Sequence, residues 1–256
     1  MKESQRSNWE AYWEDKDDAR EVYSNADRVL RNLQRIIDPR GKRVLEIGAG
    51  TGRDSFPLAE HGAEVWQLDY AENSLRILQR LAERQHLPVR IIGGDTFCLP
   101  FRDGTFDVVF HQGLLEHFRK PKADQLLREN IRVLKSGGLL LVDVPQRYHL
   151  YTVVKHILIA MNLWFAGWER SFSVVELRRV LRRLGVVPIA AYGDWMYPSF
   201  IYRAVREVLK KIGVVLPLQP RIPGIHGIRV ALRAAMLATP LPLYSGISIG
   251  VIARKP

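Results

Sequence analysis

Short runs of β-branched and aliphatic residues alternate along the chain with segments in which apolar residues recur every three or four positions. The runs predict strands and the segments between them predict amphipathic helices, which is the pattern of βαβ units in a parallel sheet. The predicted strands cover residues 43–47, 63–68, 89–92, 106–110, 139–144, 186–192 and 247–253.

Helices are predicted between these strands over residues 54–61, 74–84, 123–134 and 173–184. The last is well specified, because Ser173 and Glu176 form a capping box and Gly185 stands where a helix-terminating glycine belongs. Residues 8–37 add one or two helices before the first strand. We therefore expect an α/β fold, with a Rossmann-like, mostly parallel sheet of seven strands, helices on both faces, and a helical cap formed by C-terminal insertions.

The composition is that of an ordinary globular protein, with 47% hydrophobic and 25% charged residues among 256. Global disorder and a polytopic membrane protein are both disfavoured by these values. Cys98 is the only cysteine and can form no internal disulfide, and the first 20 residues lack the apolar segment of a signal peptide. We expect a cytoplasmic protein without a metal.

The positive charge is concentrated in the C-terminal part of the chain. The whole sequence holds 38 Lys and Arg against 27 Asp and Glu, a net charge of +11. Residues 1–150 contain 23 of each kind, whereas residues 151–256 contain 15 basic and four acidic residues. All of the excess positive charge therefore falls in the C-terminal part of the chain.

A glycine-rich turn follows the first predicted strand, in VLEIGAGTG at residues 44–52. Glycines at such a turn let the backbone approach a ligand closely at the carboxyl edge of the sheet. Asp69 ends the second strand, where a carboxylate can accept hydrogen bonds from ribose hydroxyls, and Asp95 with Thr96 follows the third. These positions predict a nucleoside-binding site along one edge of the sheet.

Four segments in order resemble the motifs of class I S-adenosylmethionine-dependent methyltransferases. VLEIGAGTG is similar to the first motif of that family, and LDYAENSL to its acidic loop after the second strand. GGDTFCLPFRDGTFDVVFHQGLLEHF and LKSGGLLLVDVP resemble the regions of the fourth and fifth strands. The resemblance is closest to the small-molecule group that includes ubiquinone and menaquinone methyltransferases. A nicotinamide-binding domain fits less well, because Gly52 comes one residue early for its GxGxxG fingerprint.

The resemblance implies that S-adenosylmethionine is the cofactor and that the residues of these motifs hold it. Asp69 would bind the ribose, Tyr70 would flank the adenine, and Asp95 with Thr96 would contact the adenine edge. The pocket for the methionine part would be formed by Glu46, Gly48, Ala49, Gly50 and Gly52.

The segment after the fourth strand supplies the candidates for catalysis. By the same resemblance, His111 and Gln112 would face the methionine end of the cofactor and the reacting methyl group. Methyl transfer from a sulfonium is a direct displacement, so a general base is needed only where the acceptor starts protonated. His117 and His111 are the candidate bases, and the alternative for His117 is a structural role in its loop.

Residues 1–40 carry four aromatic side chains, Trp9, Tyr12, Trp13 and Tyr23. In the family that the motifs resemble, this region often covers the cofactor, so we expect a helical lid whose rings can contact a sulfonium by cation–π attraction. The alternative is that the rings only dock the N-terminal helix on the core. The Rossmann-like core is then expected to comprise residues 41–147, 171–193 and 246–256.

Two insertions interrupt the C-terminal part, an apolar one at residues 148–170 and a basic one at 194–245. The first carries no charge between Lys155 and Glu169. The second predicts two amphipathic helices with arginine and lysine beside their apolar stripes. We expect these helices to cap the active site and to bury their apolar faces on each other, and their basic borders also suit contact with an anionic membrane surface.

The sequence therefore predicts a methyltransferase that acts on a hydrophobic or lipid-linked small molecule, in the cytoplasm or peripherally on the inner face of the membrane. Two alternatives stay open, an RNA methyltransferase that uses the basic C-terminal half and a non-catalytic protein that binds S-adenosylmethionine. No RNA-binding module is recognised in the sequence, which disfavours a nucleic-acid partner.

Overall fold

Seven strands form one sheet in the computed structural model, which describes residues 5–14, 27–164, 166–195, 198–217 and 226–256. The strands are β1 (Arg43–Ile47), β2 (Glu64–Asp69), β3 (Arg90–Gly93), β4 (Phe106–Gln112), β5 (Leu134–Pro145), β6 (Val187–Asp194) and β7 (Ser248–Arg254). Their spatial order is β3-β2-β1-β4-β5-β7-β6, with β7 antiparallel to both neighbours and the other pairs parallel. The predicted fold class is confirmed.

Helices flank the sheet, and all four that were predicted between strands are present. The helices are α1 (Arg6–Glu14), α2 (Arg28–Leu33), α3 (Phe56–Glu60), α4 (Glu72–Gln85), α5 (Lys120–Val133), α6 (Leu150–Ala160), α7 (Val174–Arg183), α8 (Phe200–Lys211), α9 (His226–Leu237) and α10 (Pro242–Ser245). In the N-terminal region, residues 15–26 between α1 and α2 lie outside the described residues. Tyr23, one of the four aromatic residues noted above, falls in this range.

Side chains on both faces of the sheet are buried, because neighbouring residues of a strand point to opposite sides. On one face Val44 and Val108 pack with Leu33 of α2. On the other face Leu45 and Val109 join the apolar residues of α5 and α7. The two layers of helices leave the ends of the strands accessible, and the chain changes direction across the sheet between β1 and β4. In open α/β sheets, ligands bind at the carboxyl ends of the strands beside such a switch point.

The two amphipathic helices predicted within residues 194–245 are present as α8 and α9, but their expected packing was wrong. Ile201 and Val208 of α8 are 73% and 63% exposed, and Ile228 and Leu232 of α9 are 71% and 59% exposed. The alternation of apolar and basic residues specifies an amphipathic helix without specifying what covers its apolar face. Within the described residues, no helix is both long and apolar enough to span a bilayer.

Candidate functional site

A cleft of about 920 Å³ opens at the carboxyl ends of β1 to β4, at the switch point of the sheet. Most residues that the sequence predicted for the cofactor or for catalysis line it, together with side chains of α1 and of the first insertion. The predicted residues that the structure brings together there are Glu46, Gly48, Ala49, Gly50, Asp69, Tyr70, Asp95, Thr96, Gln112 and His117.

The glycine turn after β1 has a backbone that only glycine adopts without strain. Gly48, Gly50 and Gly52 have φ values of +66°, +57° and +65°. Gly48 and Gly50 line the cleft, whereas Gly52 does not. A Cβ atom at Gly52 would lie 2.4 Å from Nε2 of Gln67, so this glycine is required for packing beneath the turn. The structure thus gives Gly52 a different role from the one that the resemblance implied.

Asp69 joins the glycine turn to the end of β2. Its Oδ2 accepts a hydrogen bond of 2.9 Å from the backbone N–H of Gly50, and its Oδ1 accepts from the N–H groups of Tyr70 at 2.8 Å and Ala71 at 3.0 Å. Burial raises the pKa of Asp69 above its ordinary value, although these backbone donors oppose the shift. The carboxylate is therefore held rigidly at the cleft, where additional donors would stabilise its charge.

Five cleft residues each bury a side-chain oxygen that has no hydrogen-bond partner among the described residues. These atoms are Oε2 of Glu46, Oδ1 of Asp54, Oγ1 of Thr96, Oε1 of Gln112 and Oε2 of Glu116. Each unsatisfied buried polar atom costs about 1–3 kcal/mol, so their convergence on one cleft indicates a polar ligand. Acceptor oxygens match the donors of S-adenosylmethionine, namely its ammonium, ribose hydroxyls and adenine amino group. The residues present therefore fit the cofactor that the motifs imply.

Glu46 also indicates the charge of the ligand. Burial raises the pKa of its carboxyl well above the ordinary value, and the neighbouring carboxyl of Asp54 raises it further. A cationic group bound beside the two carboxyls would reverse this shift and favour the ionised form of Glu46. The ammonium and sulfonium of S-adenosylmethionine are groups of this kind.

Helix α1 covers the cleft with aromatic rings. Trp9, Tyr12 and Trp13 all line it, and the ring centroids of Tyr12 and Trp13 are 4.7 Å apart. The helix is attached to the core through Glu10, whose carboxylate accepts hydrogen bonds from the backbone N–H groups of Glu72 at 2.9 Å and Asn73 at 3.2 Å. Residues 6–14 thus occupy the position expected of a lid.

His117, one of the two candidate bases, lies at the cleft with one ring nitrogen bonded to the backbone. Nε2 is 3.1 Å from the carbonyl oxygen of Gly113, to which it donates in the neutral ring. Nδ1 is 3.8 Å from Glu169 and has no hydrogen-bond partner among the described residues. The ring also packs edge-on against Trp9, at a centroid distance of 4.9 Å. Burial lowers the pKa of His117, which keeps the ring neutral near pH 7. These contacts favour a positioning role in the loop.

His111, the other candidate base, does not line the cleft. Its ring is fully buried, and burial lowers its pKa to about 3. Because His111 and Gln112 are consecutive residues of β4, their side chains leave opposite faces of the sheet, and only Gln112 reaches the cleft. The ring of His111 is therefore not placed to act as a base in the cleft.

A buried ionic cluster at one end of the cleft was not predicted from the sequence. Oε2 of Glu169 lies 2.7 Å from Nζ of Lys155, and its Oε1 accepts a hydrogen bond of 2.6 Å from the indole N–H of Trp164. Glu116 adjoins this cluster, and burial, followed by the charge of Glu169, raises its pKa to about 8. The sequence signal was present, since Lys155 and Glu169 are the two charges that bound the uncharged stretch.

The first insertion, rather than the second, contributes to the wall of the cleft. Tyr151, Trp164 and Glu169 line it, whereas no described residue of 194–245 does so. The expectation that residues 194–245 cap the site is thus not met by the residues that the structure describes. In the same described ranges, no group of three His, Cys, Asp or Glu side chains is arranged to hold a metal ion.

Comparison with known proteins relates the cleft to one enzyme family. Residues 44–138 match the model of a family described as a methyltransferase domain. Over 102 residues the chain is 38% identical to the demethylmenaquinone methyltransferase of Renibacterium salmoninarum, and this alignment covers 40% of each protein. Over 128 residues it is 31% identical to the ubiquinone biosynthesis O-methyltransferase of Coxiella burnetii, with 49% of this chain and 54% of that protein covered. The chain thus spans about half the length of these relatives, or less.

Solved structures share the fold over nearly the whole chain. The 1,6-didemethyltoxoflavin-N1-methyltransferase of Burkholderia thailandensis, with bound S-adenosylhomocysteine, has a TM-score of 0.62 at 18% identity, with 98% of this chain and 86% of that one covered. The chain therefore has the fold of these solved structures. Residues 44–138 match the methyltransferase domain family, which confirms the resemblance that the motifs indicate.

Proposed function

We propose that this protein binds S-adenosylmethionine in the cleft and transfers its methyl group to a hydrophobic or lipid-linked small molecule at a membrane surface. The observation that carries the first part is the set of unpartnered buried oxygens that converge on the cleft from Glu46, Thr96 and Gln112. When bound, S-adenosylmethionine supplies a methyl group activated by a positively charged sulfur.

The residues of the chain have separable tasks in this proposal. Asp69 holds the ribose hydroxyls, Asp95 with Thr96 takes the adenine edge, and Glu46 with Gln112 takes the methionine part. The indole rings of Trp9 and Trp13 exclude water from the sulfonium and present apolar faces to it. Alignment of the acceptor with the methyl carbon then supplies most of the rate enhancement.

The acceptor class is supported by the walls of the cleft and by the relatives. Trp9, Tyr151 and Trp164 form an aromatic surface near Glu116, which suits a planar hydrophobic acceptor that carries a polar group. Two relatives are named for demethylmenaquinone and for ubiquinone biosynthesis, both of which involve quinone-type molecules. A hydroxyl of such an acceptor would contact the unpartnered Oε2 of Glu116.

Cofactor binding is tested by titration calorimetry with S-adenosylhomocysteine. Asp69→Ala should weaken binding by about tenfold to a hundredfold, because hydrogen bonds to charged groups contribute about 1.5–3 kcal/mol. Asp103→Ala is the matched control, since the Asp103 side chain is 79% exposed and lies outside the cleft. Equal binding by both variants, or no binding by the unmodified protein, would refute the cofactor site.

Membrane contact is supported by the exposed apolar faces of α8 and α9 and by the basic residues beside them. An amphipathic helix of this kind binds by burying its apolar face at the headgroup boundary, and anionic lipids strengthen the attraction. Val208 of α8 and Ile212, the residue that follows this helix, lie on this face and are 63% and 71% exposed. Replacing both by Asp should release the protein from phosphatidylglycerol vesicles in a sedimentation assay.

The control for membrane binding is Val175→Asp, an exposed apolar position on α7. This variant should sediment like the unmodified protein, and binding should fall as salt is added. If the unmodified protein stays in the supernatant at low salt, the membrane part of the proposal is wrong. An extract assay with radiolabelled S-adenosylmethionine would separate the acceptor classes, because label in RNA would favour the RNA alternative.

A further inference from the structure

A second cavity, of about 890 Å³, lies beside the cofactor cleft. It is bounded by α6, by residues 168–171 and by the start of α5. Glu169 lines both cavities, so the two are neighbours that share one side chain. The proposed binding of the cofactor does not involve the second cavity, and the second cavity is comparable to the cleft in volume.

The polar side of this cavity is cationic. Arg119, Lys120, Arg147 and Arg170 line it, against the single carboxylate of Glu169. That carboxylate is already paired with Lys155, at 2.7 Å, and therefore adds little negative potential. Glu176, outside the lining, contacts both Arg147 and Arg170 and balances part of their charge. The net field in the cavity favours an anion.

The other side of the cavity is apolar and extends beyond it. Val153 and Ile157 of α6 line the cavity while remaining 55% and 53% exposed. Leu150 and Met161, 72% and 53% exposed, continue the same stripe at helical spacing toward the two ends of α6. A long hydrocarbon chain could cover this stripe, whereas a free inorganic anion would leave it in water.

We propose that the second cavity binds an anionic amphiphile, with its phosphate or carboxylate group among Arg119, Lys120, Arg147 and Arg170 and its hydrocarbon chain along α6. This inference rests on the proposed function, since it assigns a lipid-linked acceptor an anionic group and gives that group a site next to the methyl-transfer cleft. The guanidinium of Arg119 lies 4.6 Å from the ring centroid of Trp168, which holds its planar face at the edge of the cavity.

The experiment compares three probes by titration calorimetry at concentrations below their micelle points. Decyl phosphate carries both groups of the proposed ligand, inorganic phosphate carries only the anion, and decyl glucoside carries only the chain. Decyl phosphate should bind at least about tenfold more tightly than either of the others, because both sides of the cavity contribute. Equal affinity for decyl phosphate and decyl glucoside, or for decyl phosphate and inorganic phosphate, would overturn the proposal.

The site is located with a pair of double variants. Arg119→Gln with Lys120→Gln should weaken decyl phosphate binding by about tenfold, since two charged contacts are lost. Arg179→Gln with Arg182→Gln removes the same charge from an exposed face of α7 and should leave binding unchanged. An equal loss in both variants would mean a general charge effect and would overturn the site.

Titration of S-adenosylhomocysteine into each variant separates this inference from the proposed function. Arg119 and Lys120 do not line the cofactor cleft, so their variant should bind S-adenosylhomocysteine as the unmodified protein does. Retained cofactor binding also shows that the variant is folded. If the unmodified protein binds S-adenosylhomocysteine but not decyl phosphate, the ligand proposed for the second cavity is wrong, whereas the proposed cofactor site is retained. If S-adenosylhomocysteine does not bind to the unmodified protein, the proposed function fails instead.

Discussion

The carboxylate of Glu10 accepts a hydrogen bond of 2.9 Å from the backbone N–H of Glu72, so a side chain of α1 caps the first turn of α4. Ala71, the residue that precedes α4, has no side-chain group that could do so. The aromatic helix over the cleft is therefore fixed at a helix N-terminus, where negative charge is favoured. The same contact makes the docking of α1 on α4 sensitive to the charge of one carboxyl.

Removing the charge of Glu10 should loosen α1. The backbone donors and Arg6 lower the pKa of Glu10 more than its slight burial raises it. A carboxyl with a depressed pKa stabilises the docked state above its ordinary pKa, and this contribution is lost as pH falls through the folded value. Glu10→Gln should therefore increase amide hydrogen exchange in residues 6–14 at pH 7, as acid does in the unmodified protein. Glu14→Gln, at an exposed position of the same helix, is the control. Unchanged exchange in Glu10→Gln would contradict the capping role.

The raised pKa of Glu116 should make the protein lose stability as pH rises from about 4.5 to about 8. Its pKa is raised to about 8, chiefly by burial, so the folded state retains a proton that the unfolded chain loses near its ordinary pKa of 4.5. Stability is then lost progressively as pH rises between these two values. Glu116→Gln, which resembles the protonated form, should remove this part of the pH dependence when unfolding is followed from pH 5 to pH 9. Glu83→Gln, exposed on α4, should leave the dependence as it is.

Breaking the ion pair of Lys155 and Glu169 should destabilise the protein strongly. Replacing both residues by apolar ones should destabilise it much less. Both side chains are at most 6% exposed, so Lys155→Met leaves a buried carboxylate without its partner and should cost about 3–5 kcal/mol in urea unfolding. Adding Glu169→Leu should recover most of that loss. Lys135→Met is the matched contrast, because Lys135 and Asp107 form a pair of similar length near the surface and should contribute less than about 1 kcal/mol. Equal losses of unfolding free energy in Lys135→Met and Lys155→Met would show that burial does not determine how much each ion pair contributes to stability.

Alanine substitutions at Gly137 and Gly52, which both have a left-handed backbone, should distinguish the effect of backbone strain from that of steric crowding. Gly137 has φ of +76° and open space where a Cβ atom would lie, so Gly137→Ala should cost about 1–2 kcal/mol from strain alone. Gly52 has a similar φ, but a Cβ atom there would lie 2.8 Å from Leu78 and Phe56 as well as close to Gln67. Gly52→Ala should therefore lose clearly more stability than Gly137→Ala. Similar melting temperatures for the two variants would contradict the packing role of Gly52.

The sequence predicted the parts of the site that depend on local pattern. The glycine turn and Asp69 lie at the ends of neighbouring strands, where the alternation of elements placed them. The position of His111 was mistaken, although the sequence contained the correction, because side chains alternate along a strand and those of His111 and Gln112 leave opposite faces of the sheet. The sequence shows Lys155 and Glu169 as the two charges that bound an uncharged stretch, but it does not show that they pair, since their contact depends on how α6 packs against the loop that follows it.

The position of β7 has a consequence for the synthesis of the protein. Among the described residues, β6 pairs only with β7, which lies between β6 and β5. During translation, residues 187–194 therefore leave the ribosome without a neighbour in the sheet and must wait until residues 248–254 have followed. Until then the nascent chain exposes the unpaired edge of β5, an edge to which another strand can add. β7 thus joins β6 to the rest of the sheet, which cannot form whole until residues 248–254 have been made.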